Sequence, residues 1–175
     1  MHIQQRLLLE QENWMKCPPA TKDLEINTKN RDATIKKFNY GPLNVDEPGD
    51  YWEKIAKYWK TTVKAAKSSL CANCIAFDIS PRMKDCLPGD TFDKDGALGY
   101  CWMHHFKCHS ARACHTWAKG GPIKKDSESE AWQKKSGLDE STNLIQLTVN
   151  SLGIQQWITN NWESPWLRLQ NENNS

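Results

Sequence analysis

Six of the seven cysteines, Cys71, Cys74, Cys86, Cys101, Cys108 and Cys114, fall within 44 residues, and only Cys17 stands apart. The window reads C-x2-C-x11-C-x14-C-x6-C-x5-C, with His104, His105 and His109 inside it and His115 at its end. The rest of the chain gives this clustering its weight. Only 38% of the 175 residues are hydrophobic and mean hydropathy is -0.76, too little for one large apolar core. Something other than aliphatic packing must then hold part of the molecule together.

The redox setting favours metal over disulfides. Leu7-Leu8-Leu9 is followed at once by Glu10, too short for the apolar region of a signal peptide, so the chain is expected not to be secreted. Clustered thiols in such a chain point to a metal site before a disulfide framework. No apolar run approaches the ~20 residues of a membrane span. A net charge of +2 makes no case for nucleic acid or a membrane surface.

Three segments are expected: an N-terminal arm at 1–50, a cysteine-rich metal domain at 51–122, and a linker with a C-terminal docking tail at 123–175. In the arm, an amphipathic piece from Ile3 to about Trp14 stops at Cys17-Pro18-Pro19, and 21–38 shows no sustained period. The clearest helix starts after Gly49. Trp52, Ile55, Ala56, Trp59, Val63 and Ala66 form one apolar stripe, Asp50 and Glu53 have capping-box spacing, and Lys54, Lys57, Lys60, Lys64 and Lys67 form a charged face. Residues 81–100 read as a turn-rich loop ordered by a metal. Residues 101–119 read as a second helix ended by Gly120-Gly121-Pro122. The tail carries Trp132, Trp157, Trp162 and Trp166, anchors for a partner. The fold class expected is a small, irregular, α-rich, metal-stabilised domain with long terminal arms.

Three chemistries fit the window. A disulfide framework would have to link Cys101, Cys108 or Cys114 to Cys71, Cys74 or Cys86, since neighbours along a helix lie too far apart to pair. A Zn2+ site could begin at Cys71 and Cys74, whose spacing lets both thiolates face one tetrahedral ion, and be completed by Cys101, Cys108, Cys114, His104 or His105. An iron–sulfur cluster tolerates long, unequal loops between its cysteines.

Cys71-Ala72-Asn73-Cys74, then Cys86-Leu87-Pro88-Gly89, then Gly99-Tyr100-Cys101-Trp102 resembles the cysteine region of high-potential iron–sulfur proteins. The resemblance covers residues 71–103, with a shorter gap between Cys74 and Cys86 than the family has. It implies a [4Fe–4S] cluster held by Cys71, Cys74, Cys86 and Cys101, shielded by aromatic side chains such as Trp52, Trp59, Phe77, Tyr100 and Trp102. More loosely, the stretch from Gly99 to His109 and on to Gly120-Gly121-Pro122 resembles cysteine-rich proteins of tailed phages, especially marine ones.

No nucleotide-binding loop, HExxH motif or calcium loop is present, and no catalytic set is read. The function expected is therefore not enzymatic. It is a structural or accessory component of a larger assembly, a tailed-phage virion, with the cluster stapling the fold. Its partners would be other structural proteins or copies of itself, met through 1–50 and 123–175, and its location the virion, with the host cytoplasm during assembly. The alternatives are a soluble one-electron carrier and a zinc-stapled structural protein.

Overall fold

The computed structural model describes residues 17–136. The amphipathic piece at Ile3–Trp14 and the docking tail with Trp157, Trp162 and Trp166 lie outside the described residues.

Four helical segments come first: α1 (Pro19–Lys22), α2 (Leu24–Phe38), α3 (Tyr51–Trp59) and α4 (Val63–Ser68). The stripe expected after Gly49 is formed, with Trp52, Ile55, Ala56, Trp59 and Ala66 all buried. It is carried by two helices, because Lys60 adopts a left-handed φ of 56° and the Thr62 hydroxyl caps α4 by accepting from Ala65 N. The expected capping box does not form. Asp50 makes no cap bond and instead pairs with Lys54 at 3.0 Å.

The 15-residue α2 fills the stretch where no period was found. Its sequence is too polar to show an apolar face, and amide side chains fasten it. Asn27 Oδ1 accepts from Lys107 N at 2.8 Å, and Asn30 Nδ2 donates to His105 O at 2.7 Å. Residues 17–50, expected to be an arm, thus pack on the central domain, with Tyr40 buried and Gly41 paired to Ala113.

A one-turn 3-10 helix at Cys71–Asn73 leads into β1 (Phe77–Asp78), α5 (Pro81–Cys86), β2 (Phe92–Asp93), β3 (Gly96–Cys101) and β4 (Phe106–His109). The chain described ends in α6 (Asp126–Ser136). The sheet is antiparallel throughout, with β3 pairing β1, β2 and β4. The fold among the described residues is helices around a small antiparallel sheet.

Two expectations are corrected. Residues 101–119 are not a helix: β4 pairs with β3, with Cys108 opposite Gly99 and Phe106 opposite Cys101. Phe106 and Cys108 are buried while Lys107 and His109 are half-buried, the period of two of a strand. Residues 81–100 are not a loop waiting for a metal. Ser80 caps α5 by accepting from Met83 N, and β2–β3 pairing orders the rest.

The sheet divides two cores. On one face, Phe77, Cys101, Phe106 and Cys108 join the core of α3, Tyr40, Cys71, Cys74 and Cys114. On the other, Tyr100 and Trp102 pack with Ala20, Met83, Cys86 and Ile123, and Trp102 Nε1 donates to the buried Asp78 Oδ2 at 2.8 Å. This second core is stapled by a disulfide, Cys17–Cys86, with Cα atoms 5.5 Å apart and a sequence separation of 69. A loop of that length restricts the unfolded chain strongly. Cys17→Ser should therefore lower stability by about 2–4 kcal/mol in urea titration; an unchanged midpoint would show that the bridge is not formed in solution.

Candidate metal centre

The five remaining cysteines, Cys71, Cys74, Cys101, Cys108 and Cys114, are free thiols and all line one cavity. The cavity is small, about 20 Å3. The rest of its wall is Tyr40, Phe77, Met103, Phe106, Trp117 and a few smaller groups, with His104 as its one imidazole.

Two loops and the sheet bring the thiols together. Cys71 N donates to Arg112 O at 2.6 Å, Ala72 N to Ser110 O at 3.1 Å and Ile75 N to Ala118 O at 2.8 Å. These bonds clamp the Cys71–Cys74 turn onto the segment carrying Cys114. Trp117 Nε1 donates to Leu70 O and to Asn73 Oδ1, both at 2.9 Å, closing the same junction. Cys101 and Cys108 come from adjacent strands and sit diagonally on one sheet face.

Burial is costly for a thiolate. It pushes Cys74 up to about 12, against the backbone N–H groups of Ala118 and Ala76. It also pushes Cys114 well up, against the Thr116 hydroxyl, which lies 3.2 Å from the sulfur. Cys108 is raised by burial and by its bonds to the Cys101 and Cys71 sulfurs. Cys101 moves the other way, lowered by the Cys108 thiol and by the N–H groups of His104 and Met103. Cys74, Cys101 and Cys114 thus share a local device: a hydrogen-bonding group two positions on acts to lower each thiol. Such donors favour the charged sulfur, the form that binds metal.

The residues singled out from sequence separate into two groups. Cys71, Cys74, Cys101, Cys108, Cys114, His104 and Phe77 line the cavity. Cys86 does not: it is bonded to Cys17 in the other core. Tyr100 and Trp102 also lie in that core; alternation along β3 turns Tyr100 away from Cys101. Trp59 stands behind the wall, 5.7 Å from Trp117 between ring centroids, and Trp52 belongs to the same core. His105 faces Tyr100, whose hydroxyl lies 3.3 Å from Nδ1. The wall residues Tyr40, Met103, Phe106 and Trp117 were not singled out as shielding, since their approach depends on the β3–β4 pairing and on the clamp at Arg112. Among the described residues, no three His, Cys, Asp or Glu side chains are gathered as a site for one metal ion.

Burial holds His104 and His105 neutral, His104 lowered from 6.5 to about 3 and His105 to about 4. Their folded values lie below the unfolded one, so the unfolded chain binds protons first as pH falls. The stabilisation is complete above 6.5 and is lost on descent toward 3–4. The urea midpoint should drop between about pH 6.5 and pH 4.5, on the order of 2 kcal/mol per imidazole; a flat profile would show that these rings are solvated.

No family model matches this chain, and no curated protein or solved structure shows significant similarity to it.

Proposed function

We propose that the chain holds a [4Fe–4S] cluster in the five-thiol cavity and acts as a one-electron protein. The observation that carries this is the convergence of five free thiols on one otherwise apolar, aromatic cavity. Isolated buried cysteines behave as small hydrophobic groups, but five on one cavity, three with donors aimed at sulfur, form a set of soft ligands. The ligands are Cys71, Cys74, Cys101 and Cys114. Cys74, Cys101 and Cys114 carry the supporting donors, and Cys71 is the partner of Cys74 across two residues. Cys108, which bonds to the Cys101 and Cys71 sulfurs, sits beside the set.

When bound, such a cluster supplies a one-electron couple whose potential follows its net charge, hydrogen bonds and exposure. The chain supplies the donors to sulfur and, through Phe77, Phe106 and Trp117, a wall that excludes water. Low-dielectric surroundings disfavour high net charge, which favours the more oxidised couple of a four-thiolate cluster. The role as a component of a phage particle rests on the segments 1–50 and 123–175, of which 1–16 and 137–175 lie outside the described residues. With residues 17–50 packed on the core, the carrier role is the one the geometry supports.

Anaerobic purification should give a brown protein with about four iron and four sulfide per chain. A colourless protein with one or two zinc ions would replace this reading with the zinc-stapled one.

A further inference from the structure

The cavity reaches the surface by a short covalent route. Cys114 lines it, and the next residue, His115, is half-buried with its ring stacked on Tyr58 at 3.7 Å between centroids and 7° between planes. Tyr58 is 58% exposed, a large aromatic ring standing in water. The pair is fixed from both sides: His115 N donates to Phe38 O at 2.8 Å, and Trp59 Nε1 donates to His115 O at 3.0 Å. The two segments that hold it, 36–38 and 50–60, bring five lysines against two carboxylates. Lys36 and Lys37 precede Phe38, while Lys54 and Lys57 flank Tyr58, and all four are exposed. Of the two carboxylates, Asp50 is paired to Lys54 and Glu53 is exposed.

We propose that the Tyr58–His115 stack is the electron exit of the protein and that its lysine collar docks an acidic redox partner. The inference rests on the cluster reading above. A charged collar around an exit concentrates an oppositely charged partner and orients it before transfer. Packed aromatic rings next to a ligand cysteine give one route from cavity to solvent. A bound cluster would supply the single electron, and this stack would pass it to an oxidised partner that is reduced by one, with no proton or bond exchanged.

Two anionic probes test the exit separately from the cluster. Hexacyanochromate(III), which is paramagnetic and does not accept the electron, should broaden the NMR amide signals around Lys37, Tyr58 and His115, and salt should remove the effect. Ferricyanide, added below stoichiometry, should oxidise the protein at a rate that falls roughly tenfold between low and high salt. The double variant Lys37→Glu with Lys57→Glu should lose the broadening and reverse the salt dependence. The control Lys124→Glu with Lys125→Glu should change neither. Broadening centred elsewhere, or an equal salt dependence in both variants with iron and sulfide still bound, would overturn the exit while leaving the cluster standing. Absence of iron and sulfide from the purified protein would overturn the cluster reading, and the electron exit with it.

Discussion

Cys101→Ser should remove iron and sulfide from the purified protein, whereas Cys86→Ser should leave both at the level of the unaltered chain. That outcome would separate the ligand set the family resemblance implies from the set the fold brings together. By the resemblance, Cys86 is the third ligand, ahead of its Pro-Gly turn. In the fold, Cys86 ends α5 in the core on the far side of the sheet, bonded to Cys17. Cys101 faces the cavity and accepts from the Met103 and His104 amides. Serine at position 101 gives a harder, more basic oxygen in place of a soft thiolate, and the neighbouring Cys108 is not supported by the same donors. Cys114→Ser should lose metal in the same way. Cys108→Ser should keep it, with a shifted potential, since hydrogen bonds near cluster sulfurs tune it. Iron and sulfide assays, with circular dichroism as a check on folding, decide the matter. If Cys86→Ser strips the protein as fully as Cys101→Ser, the set implied by the resemblance is right and the Cys17–Cys86 bridge is not the working state.

The sequence showed that the cysteine window is the centre of the molecule, and that Trp52, Ile55, Ala56 and Trp59 form a buried helical face. Both signals are local: one is a density of rare residues, the other a period. Features that depend on distant partners were not legible. The polarity of α2 hides it, because Asn27 and Asn30 hold it to β4 by side-chain amides some 75–80 residues away. The stretch 101–119 offered cysteines and histidines at helical spacing, but its pairing to β3 decides its structure, and strand pairing outweighs local preference. Read as a helix, 101–119 does not carry Cys114 to Cys71 and Cys74, so Cys114 stands only as an additional ligand, while Cys86 and Cys101 enter the set through the family resemblance. The Cys17–Cys86 bridge was illegible for a related reason, since a pairing across 69 residues has no local signal.

The same dependence on distant contacts gives Gly121 a large effect for a small change. A Cβ built at Gly121 would lie 1.7 Å from Cys74 O, 2.4 Å from Cys74 C and 3.0 Å from Ile75 N. All three are backbone atoms, so no side chain can swing aside. The 74–75 backbone there is held by Ile75 N to Ala118 O and by the Cys74–Lys119 pairing. Gly121→Ala must therefore push the Cys74 turn away from the segment that carries Cys114, at a cost of about 3–5 kcal/mol. Gly49 is the control. Its φ of 57° strains an alanine, but nothing lies within 4 Å, so Gly49→Ala should cost only about 1–2 kcal/mol. The two variants should differ more sharply in metal content than in stability. Cys74 receives its sulfur-directed bonds from Ala76 and Ala118, the residues whose spacing Gly121→Ala disturbs, so iron retention should fall even in the fraction that folds. Gly49→Ala should hold its full complement. Equal iron per folded chain in both variants would show that the junction between Cys74 and Gly121 is structural packing and does not position the ligand.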